Sequence, residues 1–154
     1  MKVSPQSKLL FHGVDIVDVQ LSATRPNEPG RTIDFNVAPH VFYPEGEPDQ
    51  FRIVVDAQLK SEGFFTLGVK AIGYFEFEPE TEPEQRKDYI NRNAVAMVFP
   101  YLRAFIATLS ANAGNSVGAI VLPTQFFSGD LPELLTPDEQ QLTLPFLANE
   151  PEPQ

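Results

Sequence analysis

The residue types that carry catalytic or metal chemistry are scarce in this chain. It contains no Cys and only two His, His12 and His40. Each His lies in a different strand-like segment, and neither has further ligands at metal-binding spacing, so both are interpreted as structural or solvent-facing. The absence of Cys also excludes disulfides and thiolate nucleophiles. The sequence therefore predicts no metal site.

Carboxylates and glycines give no stronger indication of an enzyme. Glu76 and Glu78 lie two residues apart in a strand-like segment, so they share a face and could form an acid and base pair with split pKa values. On a solvated sheet face, a structural role is favoured for them. The glycines do not form a GxxxxGK phosphate loop. We therefore expect a protein that is not an enzyme and uses no cofactor.

The charge of the chain also limits its partners. The formal net charge is −10, which disfavours binding to nucleic acid or to anionic lipid. The acidic surface is interpreted mainly as a solubilising one, with an acidic face for a basic partner as the alternative. No long uncharged apolar stretch and no signal-like N-terminus are evident, since Asp15 and Asp18 interrupt the first apolar residues. A cytoplasmic protein without a membrane span is expected.

Four segments in the first half alternate between apolar and polar residues, as half-buried strands do. They cover residues 8–24, 31–43, 51–60 and 64–78. In the first segment the apolar parity changes near Ile16–Val17, which predicts a β-bulge. In the second, Pro39 ends the strand or places it at a sheet edge. Short, turn-rich connections between consecutive strands predict an antiparallel meander.

The alternation also predicts which side chains point into the core. In the third and fourth strands the inward residues are expected to be Ile53, Val55, Ala57, Leu59, Phe65, Leu67, Val69, Ala71, Gly73, Phe75 and Phe77.

From about Glu84 the apolar residues instead follow a helical period that continues to Leu109. Pro100 predicts either a kink or a break near Val98–Phe99. Asn112 and Gly114 are expected to end the helix, and residues 117–123 are apolar and β-like. The predicted fold class is α+β: a four-stranded antiparallel meander sheet with a kinked or broken helix packed on one face.

The last part of the chain has a different composition. Residues 128–154 are rich in Pro and acidic residues, and TPDEQQ could nucleate one helical turn with Thr136 as its N-cap. The remainder is predicted to be extended or disordered. We expect a domain at residues 1–127 and an acidic, Pro-rich tail at 128–154.

The run AVAMVFPYLRAFIATLSANAGNSVGAIVLPTQFF at residues 94–127 resembles the SecB export-chaperone family. The matching residues are Val98-Phe99-Pro100-Tyr101, Arg103, Leu122-Pro123 and Phe126. The order of four strands before this helix is also similar, and SATRPN at the first turn is a weaker match. The resemblance implies a sheet with helices on one face, assembly into dimers and then a homotetramer, and an apolar groove for extended, unfolded segments.

Two departures from the family pattern bear on its role in protein export. Gly129, Pro132, Pro137 and Pro145 preclude the second long helix that normally follows. The positions that match the acidic SecA-docking residues are Gln20, Thr24 and Gly68, none of which is acidic. SecA is therefore a questionable partner, although SecB-like proteins also serve outside export, for example in protecting an antitoxin.

The leading hypothesis is a SecB-like holdase, a chaperone that binds unfolded or non-native polypeptide. The alternatives are a SecB-fold protein with one dedicated client, such as a toxin–antitoxin-associated chaperone, and a small-ligand binder that uses the space between sheet and helix. The competing interpretation of each Phe is that it belongs to the core. The candidate client-binding residues are Phe64, Phe65, Phe99, Phe126, Phe127, Leu131, Leu134 and Leu135.

Overall fold

The computed structural model describes residues 9–24, 30–115, 117–123 and 129–134. Four strands form one antiparallel sheet, and a long helix follows them, which confirms the α+β class. The long helix runs from Pro83 to Asn112. The strands are β1 (Leu9–Ala23), β2 (Asp34–Phe42), β3 (Gln50–Ser61) and β4 (Phe65–Phe77).

The order of the strands across the sheet is β1-β4-β3-β2, so the predicted meander is wrong. β1 pairs with β4 and not with its sequence neighbour β2. The end of β1 and the start of β2 nevertheless lie at the same end of the sheet, because Ala23 pairs with Phe65 and Asp34 pairs with Lys60. The connection between them crosses the end of the β3–β4 hairpin.

Hydrogen bonds at both ends of this crossover hold it against the hairpin. The Thr24 amide donates to the Phe64 carbonyl at 2.8 Å, and the Ser61 hydroxyl donates to the Thr32 carbonyl at 3.0 Å. A connection of this length reaches about 30 Å, whereas outer strands of a four-stranded sheet lie only about 14 Å apart. Alternation predicts strands and faces, but it contains no information about which neighbour a strand pairs with.

β1 contains two irregularities. The register shift between Ile16 and Asp18 confirms the predicted bulge. A second shift lies between Phe11 and Val14, where Gly13 has a φ of 112°. That backbone conformation strongly favours glycine, so Gly13 was the local signal for the second bulge.

The faces of β3 and β4 agree with the prediction. All the predicted inward residues from Ile53 to Leu59 are at most 1% exposed. The corresponding residues of β4 are buried as well, and the long helix packs over them. We call this the inner face and the opposite side of the sheet the outer face. Gly73 lies where the helix approaches most closely, beneath Val98.

The long helix passes through Pro100 without a break, so the alternative of two separate helices is wrong. Pro100 and Ala96 both lie on the exposed side, where water can satisfy the carbonyl that loses its amide donor. A π-helical segment, Tyr89–Ala94, precedes this point. The helix ends at Asn112 and is followed by Gly114 with a φ of 86°, which confirms the predicted end.

By length and apolar composition alone, the long helix would also be able to cross a membrane, a property that core helices of soluble proteins share. One face of it is packed against the sheet, since Val98, Leu102 and Ile106 have no exposed surface.

Residues 117–123 form neither a strand nor a helix. The Ile120 amide donates to the buried Ser110 hydroxyl at 2.8 Å, and Arg103 Nε donates to the Leu122 carbonyl at 2.7 Å. Ile120 and Leu122 are thereby held in the main core.

Residues 129–134 pack against the domain at the β2 edge. The Val41 amide donates to the Pro132 carbonyl at 3.0 Å, and the Leu134 amide donates to the Val41 carbonyl at 2.8 Å. The Asn91 side chain accepts from the Leu131 amide at 2.9 Å. β2 is an edge strand, as Pro39 predicted, and this short bridge covers its final residues. The helical turn predicted at Thr136 lies outside the described residues.

Candidate functional site

Large apolar side chains are exposed along β1. Val19 and Leu21 pair with Val69 and Leu67, which belong to the main core, so all four point to the inner face. Val19 and Leu21 are nevertheless 40% and 39% exposed. The inner face of β1 therefore extends beyond the surface that the helix covers.

A small apolar pocket lies beside the long helix. The segment at Val121 passes beside the helix and encloses a cavity of about 190 Å³ with it. Its lining residues are Phe99, Pro100, Arg103, Ala104, Ala107 and Val121.

Two contacts fix the shape of this pocket. The Arg103 guanidinium does not face into it as a free charge, because its Nε is bound to the Leu122 carbonyl and holds the segment in place. Val121 is 65% exposed at the rim, and Phe99 is 7% exposed. The cavity is smaller than the roughly 300 Å³ lower limit of typical small-molecule sites and suits a single apolar side chain of a partner.

Tyr101 lies on the flank of the long helix that faces β1. It is 52% exposed, and its ring centroid lies 5.8 Å from that of Phe11. Phe11 in turn contacts Phe75 at 5.1 Å, which anchors the pair to the core. The pocket, Tyr101 and the exposed inner face of β1 together present apolar surface on the helix side of the molecule.

A larger cavity of about 420 Å³ lies at the other end of the sheet, among Tyr43, Phe77, Arg86, Ile90 and Leu131. Arg86 is engaged within the protein: it donates to the carbonyls of Thr81, Pro48 and Pro79 and to the Asp49 carboxylate. It also lies 4.7 Å from the Phe77 ring centroid. This arginine therefore stabilises two loops and leaves little polar recognition for a small ligand.

The predicted client-binding residues do not come together at one place. Phe64 and Phe65 lie at the hairpin end beneath Arg31, whose guanidinium is 5.7 Å and 5.0 Å from their ring centroids. Leu131 is at the opposite end of the sheet in the main core. A strand of the length of β4 separates these ends by about 40 Å.

Exposure differs among the same residues. Phe65, Phe99 and Leu131 are buried at 3%, 7% and 9% exposure. Leu134 packs on the outer face, away from the other candidates. Phe126, Phe127 and Leu135 lie outside the described residues. Their client-binding role stays a prediction.

Sequence reasoning did not select Val19, Leu21, Tyr101 or Val121 as site residues. The alternation of β1 gave no signal for the first two, because the bulge between Ile16 and Asp18 leaves apolar residues of both parities on the inner face. Val121 was not distinguishable, since it stands among apolar neighbours that are buried. Its exposure depends on the path of the segment beside the helix.

The residue types that could take part in catalysis or metal binding do not form a reactive site. His12 Nε2 is 3.1 Å from Glu76 Oε2 at the surface. Within residues 9–24, 30–115, 117–123 and 129–134, no group of three or more His, Asp or Glu could hold a metal ion. The residues GNSVG at 114–118 match the GxSxG letters of serine hydrolases. They come after the end of the long helix, and no described helix follows them, whereas the nucleophile elbow requires a strand followed by a helix.

The outer face carries a second apolar cluster. Phe42, Val54 and Ile72 are at most 2% exposed, and Val17, Tyr74 and Leu134 pack against them. His40 pairs with Val54 and so shares this face, and its Nδ1 is buried without a hydrogen-bond partner in the described part of the chain.

Further along the same face the surface becomes polar. Lys70 lies 3.8 Å from Asp56, and Gln20 pairs with Gly68 in the next row towards the hairpin. Two of the three positions that match the family's acidic docking residues are thus adjacent and uncharged.

Two tyrosines have perturbed pKa values. Burial raises the pKa of Tyr74, and a hydrogen bond to Asp15 adds to the effect. Burial also raises the pKa of Tyr43, with a smaller contribution from the charge of Glu133. Both phenols therefore stay protonated to a higher pH than an exposed tyrosine.

Comparison with known proteins gives a relative in sequence and solved structures of similar fold. No family model matches the chain. An uncharacterized protein of Methanocaldococcus jannaschii, MJ0357, is 26% identical over 130 residues, which cover 80% of this chain and 82% of that protein.

The fold is similar to that of the SecB-like chaperone Rv1957 of Mycobacterium tuberculosis, solved in complex with a ChAD peptide from the HigA1 antitoxin. The TM-score is 0.62 at 14% identity, covering 77% of this chain and 88% of that one. A Streptococcus agalactiae protein of unknown function has a TM-score of 0.40 at 9% identity, covering 76% and 98% of the two chains. The four-stranded antiparallel sheet with its helix is thus a SecB-like fold.

Proposed function

We propose that this chain is a SecB-like chaperone that binds non-native polypeptide segments and performs no chemistry on them. The observation that carries the proposal is the exposed apolar surface on the helix side, in which the pocket between Phe99 and Val121 can receive one side chain. Its setting within a SecB-like fold supports the same function.

The physics of such a surface suits extended clients of varied sequence. Burying one large apolar side chain contributes about 2 kcal/mol and makes little geometric demand. The edge strand β1 also presents backbone groups that a client segment could pair with. A binder of this kind needs no catalytic residue.

A dedicated client is the second candidate. The neighbour of similar fold was solved with a peptide from an antitoxin, which favours a narrow client range over a general one. Export with SecA is the less supported version, because Gln20 and Gly68 are adjacent uncharged residues on the outer face.

We also propose assembly into a dimer or tetramer and activity in the cytoplasm. The exposed apolar residues of β1 support the first, since an edge strand with apolar surface is stabilised by a partner. A strictly monomeric sedimentation profile at micromolar concentration would contradict the assembly.

The test is suppression of aggregation of a chemically unfolded client at stoichiometric ratio, combined with sizing of the complex. Val121→Asp should weaken client binding about tenfold or more, because the lost apolar contact is worth about 1.5 kcal/mol. Asn93→Asp, which adds a comparable charge at an exposed position on the helix, is the matched control and should bind as wild type. The absence of both suppression and a complex for the wild-type chain would refute the proposal.

A further inference from the structure

The strap, which we define as residues 129–134, binds the edge of the sheet in the way that an extended peptide ligand does. It uses both backbone groups of Val41: the Val41 amide donates to the Pro132 carbonyl at 3.0 Å, and the Val41 carbonyl accepts from the Leu134 amide at 2.8 Å. The same pattern joins a foreign segment to an exposed sheet edge. Pro39, two residues earlier in β2, has no amide hydrogen and so ends the pairing on this edge.

Side chains of the long helix complete the attachment of the strap. Asn91 accepts a hydrogen bond from the Leu131 amide at 2.9 Å and donates one to the Asp130 carboxylate at 3.1 Å. Lys87 Nζ lies 3.7 Å from the same carboxylate. Asn91 belongs to the π-helical segment Tyr89–Ala94, and π-helical turns are frequent at functional sites. The helix therefore recognises both the backbone of the strap and the acidic residue that precedes its leucine.

Leu131 is the apolar anchor of the strap. It is 9% exposed and lines the cavity of about 420 Å³ together with Val41, Phe77 and Ile90. These three neighbours belong to β2, β4 and the long helix, so the walls of the site do not depend on the strap. Because the cavity stays open beside Leu131, the site has room for a larger side chain than the leucine that it holds.

Each of these contacts is available to a segment of another polypeptide. They consist of backbone pairing with Val41, a side-chain hydrogen bond from Asn91 to the backbone, one apolar side chain in the cavity and one acidic side chain beside Lys87. Only the first two depend on the backbone alone, so the last two give the site its sequence preference.

We propose that this end of the β2 edge is a second polypeptide-binding site, and that the strap occupies it as an internal competitor. The ligand is an extended segment in which an acidic residue is followed by a large apolar residue and proline, as in Asp130-Leu131-Pro132. The proposal rests on the proposed function for the class of ligand. It adds a site, separate from the pocket at Val121, that a client enters by displacing the strap.

Tethering explains why the strap controls access to the site. A segment held by a short connection competes at an effective concentration on the order of millimolar, so a free peptide binds the wild-type chain poorly. A substitution that releases the strap and leaves Val41, Phe77, Ile90 and Asn91 intact should therefore raise the affinity for a free peptide.

The experiment measures binding of a fluorescent peptide with blocked ends and the sequence of residues 129–134 to the full chain, by fluorescence anisotropy. Leu131→Asp releases the strap, because a carboxylate is not buried in an apolar cavity without a partner. This variant should bind the peptide about tenfold or more tightly than wild type does. Adding Asn91→Ala should weaken that binding about tenfold, and a peptide that itself carries Leu131→Asp should not bind.

Hydrogen exchange at the Val41 amide locates the binding. It should be faster in Leu131→Asp than in wild type and should slow again when the peptide is added, because the peptide replaces the Pro132 carbonyl of the strap. Unchanged peptide affinity in folded Leu131→Asp overturns the proposal. Tighter binding that leaves the Val41 amide unprotected also overturns it, because the peptide then binds elsewhere. Protection of Val41 in wild type that falls on dilution would assign the strap to a second copy of the chain and reject an internal competitor.

A second pair of variants keeps the test decisive if Leu131→Asp does not fold. Asp130→Lys removes the hydrogen bond from Asn91 and places a second cation beside Lys87, at an exposed position. It should also raise the affinity for the peptide. Glu133→Lys makes the same kind of charge change at an exposed neighbouring position and is the matched control, which should bind the peptide as wild type does. Equal effects of the two substitutions would contradict the proposal.

The outcome is distinguishable from that of the proposed function. Val121→Asp, which alters the pocket on the helix, should leave peptide binding to the Leu131→Asp chain unchanged. A chain that suppresses aggregation but does not bind the peptide after release of the strap refutes this site alone. A chain that binds the peptide and protects Val41 but suppresses no aggregation refutes the chaperone function and supports the peptide site.

Discussion

Replacing Gly73 with alanine would place a methyl group at the point where the long helix meets β4. The new Cβ would overlap the Cγ2 methyl of Val98 and lie 3.0 Å from Cε2 of Phe75. Both neighbours are in the core, with Val98 at 0% and Phe75 at 2% exposure, so neither has free space to move into.

We expect Gly73→Ala to lower the free energy of unfolding by about 2–3 kcal/mol, the usual cost of overpacking a rigid core. Gly68→Ala is the matched control in the same strand on the outer face. There the new Cβ would meet the amide end of Gln58 at 3.1 Å, which is a flexible and exposed side chain. This control should be neutral or slightly stabilising, because alanine has less backbone entropy to lose than glycine.

A double-mutant cycle with Val98→Ala isolates the overlap. Val98→Ala alone should cost about 2 kcal/mol through lost burial and a small cavity. In the double variant the alanine methyl at Gly73 occupies part of that cavity, so its cost should not exceed that of Val98→Ala. The resulting coupling energy is about 2 kcal/mol or more and favours the pair.

The assay is urea unfolding followed by far-UV circular dichroism at one fixed protein concentration, since assembly would make the measured stability depend on concentration. A Gly73→Ala chain within 0.5 kcal/mol of wild type, or additive single effects in the cycle, would refute the close packing of the helix on β4.

Three other outcomes follow from particular contacts. Arg86→Met should lower the free energy of unfolding in urea by about 2 kcal/mol, because it removes the hydrogen-bond donor of the part-buried Thr81 carbonyl and Asp49 carboxylate. Arg92→Ala removes only an exposed ion pair and should cost less than about 0.5 kcal/mol. Equal effects of the two substitutions would contradict this prediction. Ser110→Ala should lower the free energy of unfolding by about 1–3 kcal/mol and speed hydrogen exchange at the Ile120 amide, which donates to the Ser110 hydroxyl. Unchanged exchange at Ile120 would argue against this hydrogen bond. The raised pKa of Tyr74 means that its stabilising contribution is present below pH 10.0 and is lost as pH rises through the folded-state pKa. Tyr74→Phe should therefore reduce the fall in the free energy of unfolding measured above pH 10. An unchanged dependence of stability on pH in this range would refute the raised pKa of Tyr74.

The sequence alone was sufficient for features that depend on neighbouring residues. Period-two alternation placed Ile53 and Val55 on the buried face of β3, and the parity change located the bulge near Val17. The end of the long helix followed from Gly114, because its left-handed backbone favours glycine. The resemblance at residues 94–127 identified the SecB-like fold that the comparison then supported.

Features that depend on distant contacts required the tertiary structure. The strand order β1-β4-β3-β2 results from a crossover that alternation cannot reveal, because pairing partners are chosen by the packing of the whole sheet. The unbroken helix at Pro100 depends on which side of the helix faces water. The candidate site also required the structure. The sequence contains many Phe, and only the fold shows that Phe65 is buried at the hairpin end whereas Phe99 lines the pocket.

Val121 and Val54 illustrate the division most clearly. Val121 stands in an apolar run yet is 65% exposed, and Val54 has the parity of a solvent-facing residue yet has no exposed surface. Sequence periodicity reports the face on which a side chain lies. Whether a side chain is covered depends on segments that are remote in the chain, such as residues 117–123 on the inner side of the sheet and Leu134 on the outer side.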